Sequence, residues 1–215
     1  MGERQIILWR HGRTSWNAER RFQGQSDIEL DDEGRAQAER AAELLAYLEP
    51  DRIIASDLAR AWATAQALSV RTGVHVRADA RLRETFAGEW EGLSRAELLE
   101  RHGDEVARWA SDSAARPGGG ETRIEVADRV VAAITDGLEE LAESETLVVA
   151  THGGAARAGI GALLELPPEQ WACLGVLSNC AWSILSENST GFGPAWRLQE
   201  YNAGSLPTPA LADDR

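Results

Sequence analysis

The chain has 215 residues, 43% of them hydrophobic, which is enough to bury one sizeable core. Its formal charge of -13 excludes a nucleic-acid surface, because phosphate backbones are held by an excess of cations, but it leaves room for a pocket that binds a small anion. Every basic side chain is Arg, a bias that codon usage in a GC-rich genome accounts for; it excludes a Walker A loop, a Schiff-base lysine and a Ser-Lys dyad together.

Gln5-Ile6-Ile7-Leu8-Trp9 is a continuous apolar run bounded by charges, the pattern of a strand buried on both faces of a parallel sheet. Over 31–48, Ala38, Ala41, Leu44, Leu45 and Leu48 recur at helical spacing behind Asp31 and Asp32, which suit an N-cap. Arg52-Ile53-Ile54-Ala55 predicts a second strand, followed by a helix over 58–70 that Gly73 closes. The weak alternation over 74–82 predicts a third strand. Gly88, Gly92, Gly103 and Pro117-Gly118-Gly119-Gly120 break 84–121 into short helical pieces, read as a lid-like insertion. An amphipathic helix over 123–141 precedes the clearest buried strand, Thr146-Leu147-Val148-Val149-Ala150, and a helix over 153–164 follows it. Strands over 181–185 and 196–201 close the domain, and 204–215, with two prolines and no periodicity, is expected to be a disordered tail. The alternation of strands and helices implies an α/β fold, a single domain over 1–203 whose mostly parallel central sheet carries helices on both faces. Cys173 and Cys180 form neither a disulfide framework nor a metal set, and no signal or membrane-spanning segment is legible, so a cytoplasmic protein is expected.

Ligands of open α/β sheets bind beyond the carboxyl ends of the strands. Three apolar runs end there in polar groups: Arg10-His11-Gly12, Ser56-Asp57-Leu58-Ala59-Arg60 and Thr151-His152-Gly153-Gly154. If those strands are neighbours, two histidines and two arginines converge, and Glu84 lies past the third strand. Guanidinium groups match a tetrahedral oxyanion, a neutral imidazole can attack phosphorus, and a carboxylic acid can protonate the departing oxygen; Arg and imidazolium carry the charge, so no metal or cofactor is needed. On position alone Arg60 is equally a solvated helix residue and Glu84 equally a surface carboxylate beside Arg83.

Arg10-His11-Gly12-Arg13-Thr14-Ser15-Trp16-Asn17 resembles the R-H-G-x-T-x-x-N signature of the histidine phosphatase (phosphoglycerate mutase-like) superfamily. Ser56 to Ala61 with Thr64-Ala65, then Leu82-Arg83-Glu84, then Thr151 to Gly154, are similar to its further elements in order. The resemblance implies a three-layer sandwich in which His11 is phosphorylated and Glu84 is the proton donor. Arg10, Arg60 and His152 would hold the phosphoryl oxygens, Asn17 and Gly153 would be auxiliary donors, and Gln23 and Gly24 would border the substrate pocket. Arg13 stands where relatives often carry Gln or Glu; with Arg20 and Arg21 it offers a seat for a carboxylate or second phosphate, or is a solvated loop arginine. The absence of a long proline-rich insertion after the acid favours the phosphatase branch over cofactor-dependent mutases. Within that branch the sequence is similar to the glucosyl-3-phosphoglycerate phosphatases, with broad-specificity and α-ribazole-phosphate phosphatases as competitors. The expected function is a metal-independent phosphomonoesterase for a small phosphorylated sugar or sugar acid; a phosphoglycerate mutase and a catalytically silent phospholigand-binding protein are the alternatives. Family habit and the apolar C-terminal strands favour a homodimer. Trp9, Trp62 and Trp182 are expected in the core, while Trp16 and Trp90 lie in loops around the pocket, where packing outweighs sugar stacking.

Overall fold

A computed structural model describes residues 3–139 and 141–204. The first apolar run forms β1 (Gln5–Arg10), whose alternating side chains serve two cores: Ile6 and Leu8 join one apolar cluster, Ile7 and Trp9 the other. Full burial of each of these aliphatic side chains stabilises the fold by roughly 1.5–3 kcal/mol. Strand β4 (Thr146–Thr151) divides its residues in the same way, Leu147 and Val149 against Val148 and Ala150. With β2 (Arg52–Ala55), β3 (Val76–Ala78), β5 (Trp182–Glu187) and β6 (Trp196–Ala203) they make a six-stranded sheet of order β3-β2-β4-β1-β5-β6. Strands β1 to β4 pair in parallel, and β5 and β6 are antiparallel.

One face is covered by α2 (Asp32–Ala46) and α3 (Ala59–Thr72), the other by α5 (Arg123–Glu139) and α6 (Gly153–Leu163), which gives the expected three layers. Asp31 caps α2 by accepting the Gly34 N–H at 2.7 Å, and Gly73, at φ 75°, ends α3. The sheet order puts β4 between β1 and β2, with Arg10 opposite Thr151 and Ala55 opposite Ala150. Three parallel strands therefore end at one level, and the polar residues that follow them share one edge.

The structure departs from the sequence reading in three places. The third strand is only three residues long, because the Asp79 side chain accepts the Arg81 N–H and starts a single 3-10 turn over Ala80–Leu82. On α2 the buried stripe is Ala38, Ala41, Ala42 and Leu45, whereas Leu44 is 51% exposed and Leu48 lies past the helix end, 37% exposed. Segment 84–121 holds more than short pieces. Helix α4 (Arg95–Ser111) runs through Gly103 with a kink at His102, started by a Ser94–Glu97 capping box, and its Leu98 and Trp109 pack with Phe22, Ala87 and Trp90 in a satellite cluster. Trp9 and Trp182 are buried and Trp62 is half-buried against the core. The tail expectation, apart from Gly204, falls outside the described residues. Among those residues no helix is long and apolar enough to cross a membrane.

Candidate active site

His11 leaves the end of β1 with its backbone fixed on both sides. Its N–H donates to the Thr151 carbonyl, and its carbonyl accepts the Cys180 N–H and the Asn179 amide. Gly12 follows in a tight approach, where a Cβ would lie 2.4 Å from the Gly34 carbonyl oxygen, so only glycine lets this turn pack on the start of α2. The His11 ring is buried, and Nδ1 lies 2.7 Å from the Gly12 carbonyl oxygen. A carbonyl can only accept, so Nδ1 carries the proton and Nε2 keeps its lone pair.

The His152 ring is 5.1 Å from that of His11, centroid to centroid. It caps β4, is wholly buried, and holds Ser56 Oγ at 2.8 Å through Nε2, while Nδ1 has no hydrogen-bond partner among the described residues. Arg10 and Arg60 are equally buried. Arg10 Nη1 donates to the Leu177 carbonyl at 2.6 Å; Arg60 donates to the carbonyls of Ser26 and Gly24, each at 2.8 Å, and so ties the 24–26 loop to α3. Asn17 belongs to the capping box of a four-residue helix, α1 (Ser15–Ala18), in which its Oδ1 accepts the Thr14 N–H. That oxygen also faces the Asn179 amide at 3.3 Å, which brings Asn17 beside His11; Nδ2 is buried with no hydrogen-bond partner among the described residues. Gln23 is buried and accepts the Thr14 hydroxyl at 3.0 Å.

Glu84 occupies an unusual post. The N-cap of α6 is His152, whose side chain makes no capping bond, and the Glu84 carboxyl caps the helix in its stead. Oε2 accepts the Gly154 N–H at 2.9 Å; Oε1 accepts those of Ala155 and Thr85 at 3.0 and 2.8 Å. A Cβ on Gly154 would come within 2.7 Å of Oε1, so the glycine after Gly153 makes room for the acid. The Glu84 backbone is clamped by Arg129, which donates to the carbonyls of Arg81, Arg83 and Glu84 and pairs with Glu121 at 2.8 Å. Sequence reasoning passed over Ser56 as a partner of His152, and over Arg129, Glu121 and Asn179. Their roles depend on contacts across dozens of residues, for which the sequence carries no local signal.

The remaining sequence candidates are placed differently. Arg13 donates to Asp31 at 2.8 Å and Arg21 to Glu19 at 2.7 Å, so both are engaged with acids of their own neighbourhood. Arg20 is exposed. Trp90 is 1% exposed inside the satellite cluster, which makes it a packing residue; Trp16 is half-buried.

The electrostatics favour neutral imidazoles. Burial, then Arg60 and Arg10, hold His11 well below the ordinary histidine range, and burial followed by Arg60, His11, Arg129 and Arg10 does the same to His152. As pH falls through about 6.5 the unfolded histidines take up protons while the folded ones stay neutral until their depressed values are reached. In that window the unfolded state binds more protons, so stability declines with falling pH by up to about 1.4 kcal/mol per unit for each histidine. Urea midpoints measured from pH 7.5 to 5 are expected to fall more steeply for the parent than for a His11→Gln, His152→Gln double variant; coincident slopes would refute buried neutral rings.

The site brings together two buried guanidinium groups, two buried imidazoles and, among the described residues, nitrogen atoms on Asn17 and His152 without a hydrogen-bond partner, a donor set whose chemistry suits an oxyanion. A family profile described as the histidine phosphatase superfamily (branch 1) matches residues 6–203. A glucosyl-3-phosphoglycerate phosphatase of Mycobacterium tuberculosis is 40% identical over 95% of this chain and 97% of its own. A probable phosphoglycerate mutase of Salmonella typhi is 36% identical over 96% and 97%. The solved structure of mycobacterial glucosyl-3-phosphoglycerate phosphatase complexed with VO3 superposes with a TM-score of 0.87 at 40% identity, covering 94% of this chain and all of that one.

Proposed function

The chain belongs to the histidine phosphatase superfamily, branch 1, and from that premise we propose that it hydrolyses the phosphomonoester of a small sugar acid, glucosyl-3-phosphoglycerate being the foremost candidate, through a phosphohistidine on His11. The observation that carries this reading is the orientation of the His11 ring, with Nδ1 bound to the Gly12 carbonyl and Nε2 left as the nucleophile. The similarity to glucosyl-3-phosphoglycerate phosphatases over nearly the whole chain supports the substrate class.

In the first step His11 Nε2 attacks phosphorus as the ester P–O bond breaks, and the departing oxygen takes a proton from Glu84. In the second, water attacks the phosphohistidine, Glu84 takes its proton, and the P–N bond breaks to free phosphate and restore the imidazole. Glu84 Oε2 receives one N–H against two on Oε1, which leaves it the oxygen with room for the transferable proton. Arg10 and Arg60 neutralise the phosphoryl charge together with donors on His152, Asn17 and the Gly153 backbone, in a site where buried, preorganised groups need no reorganisation. Gln23 and Gly24 would border the ester side of the pocket, and segment 84–121, with its own small core, would serve as its cover. A cytoplasmic homodimer completes the reading, supported by the position of β6 at the sheet edge.

The deciding assay offers purified protein glucosyl-3-phosphoglycerate, other sugar phosphates, and 3-phosphoglycerate with and without the 2,3-bisphosphate. Phosphate release that is fastest from the glucosylated ester and indifferent to EDTA is expected. Bisphosphate-stimulated isomerisation without phosphate release would replace the phosphatase reading with a mutase.

A further inference from the structure

His11 and His152 are both buried and their rings lie 5.1 Å apart, yet each is engaged through a different nitrogen and by a partner of a different kind. His11 meets an obligate acceptor: Nδ1 lies 2.7 Å from the Gly12 carbonyl oxygen, which leaves Nε2 unprotonated. His152 meets a hydroxyl: Nε2 lies 2.8 Å from Ser56 Oγ, and the buried Nδ1 has no hydrogen-bond partner among the described residues. A hydroxyl can donate or accept, so the remaining contacts of Ser56 decide where the His152 proton sits.

Ser56 is wholly buried. Its N–H donates to the Ala150 carbonyl at 2.9 Å, which continues the pairing of β2 with β4 by one residue and brings Ser56 level with Thr151. Its Oγ accepts the Leu58 N–H at 3.3 Å, which occupies one lone pair, and the His152 ring is the other partner of that oxygen among the described residues. Were Nε2 protonated, the hydroxyl hydrogen would be buried without an acceptor and Nδ1 would be a bare buried lone pair, both costly states. With the hydroxyl donating, the Leu58 N–H, the hydroxyl hydrogen and Nε2 are all satisfied. The ring is neutral, since burial, reinforced first by the Arg60 charge, disfavours a second proton. Its single proton therefore sits on Nδ1.

We propose that Ser56 is the positioning residue for His152: its hydroxyl donates to Nε2, keeps the ring proton on Nδ1, and so makes His152 a donor to the phosphoryl oxygens. The inference rests on the phosphatase reading above, in which His152 holds those oxygens, and it assigns a division of labour between the two rings. Both imidazoles carry their proton on Nδ1. In His11 the Gly12 carbonyl accepts from that N–H and leaves Nε2 as a nucleophile, whereas in His152 Ser56 occupies Nε2 and leaves the N–H for the anion. The opposite tautomer of His152 would set a lone pair against an oxyanion that itself offers only lone pairs.

The test is Ser56→Ala, read through the tautomer itself. In isotope-labelled protein, long-range nitrogen–proton NMR correlations distinguish a ring protonated on Nδ1 from one protonated on Nε2, and His11→Gln and His152→Gln variants assign the signals. Both rings of the parent are expected in the Nδ1–H form. In Ser56→Ala, His11 should be unchanged while His152 moves wholly or partly to Nε2–H. Affinity for inorganic phosphate, titrated calorimetrically, should fall about 2- to 10-fold, the value of the one neutral hydrogen bond that selected the competent tautomer. A packing role alone would lower the melting temperature and leave both the His152 tautomer and the phosphate affinity as they were. That result, or a parent His152 protonated on Nε2, would overturn the proposal, and the parent spectrum decides even where Ser56→Ala fails to fold. A shifted tautomer with unchanged phosphate affinity would overturn the donor role. Absence of phosphate release from every ester offered would overturn the phosphatase reading, while the tautomer and the phosphate titration still decide the part played by Ser56.

Discussion

His11→Ala is expected to lower kcat on a phosphomonoester by about 10⁴-fold or more while the protein stays folded, because removing the proposed nucleophile removes the covalent route entirely. No other ring can take its place. His152 is the nearest imidazole, and its Nε2 is already bound to Ser56 Oγ at 2.8 Å. The anion seat should persist, since Arg10 and Arg60 are held by the carbonyls of Leu177, Gly24 and Ser26, which the substitution does not touch. Phosphate binding is therefore expected to survive as a shift in melting temperature, while label from a radioactive ester, trapped on the parent by an alkaline quench that preserves phosphohistidine, should be missing from the variant. Activity within tenfold of the parent would sink the mechanism. A parent that binds phosphorylated ligands but never acquires label would point to the catalytically silent alternative.

Glu84→Gln is expected to cost about 10² to 10⁴ in kcat on an alkyl phosphate, the range for loss of a general acid. The substitution also tests the second task of this residue, because its carboxyl caps α6 through Gly154 and Ala155. Glutamine keeps one carbonyl oxygen for Ala155 and Thr85 but turns an NH2 group toward the Gly154 N–H, so a loss of about 1 kcal/mol in stability accompanies the catalytic loss. The two effects separate with p-nitrophenyl phosphate, whose leaving group departs without a proton. The first step should then be nearly as fast as in the parent and the second slow, for want of a base to activate water. A burst of one nitrophenol per active site followed by slow turnover is the expected trace. Equal losses on both esters with no burst would reduce Glu84 to a helix cap.

Legibility in the sequence followed the range of the interactions concerned. β1, β2 and β4 were readable because strands buried on both faces leave unbroken apolar runs, and α2 and α3 because Asp31 and Gly73 mark their ends within a turn. The third strand was overread, since alternation over 74–82 does not reveal that the Asp79 side chain converts the chain to a turn. Helix α4 was underread because its stability comes from Trp109 and Leu98 packing on Phe22 and Trp90, partners up to 87 residues away. The sequence leaves Arg13 and Arg21 open to a ligand, because their partners Asp31 and Glu19 are set by the folding of the loop and not by motif spacing.

The sequence by itself determined the chemistry: two strand-end histidines each followed by glycine, Arg as the only cation, and an ordered set of motifs that names a phosphoryl-transfer family. Those features are local, and local covalent spacing is what a sequence records. Only the tertiary structure decided that β4 lies between β1 and β2, so that His11 and His152 come within 5.1 Å, and that burial, reinforced by the nearby guanidinium groups, holds both rings below the ordinary histidine range. It alone showed that Glu84 caps α6. Such pairings are set by sheet order and burial, which depend on how the whole chain packs at once.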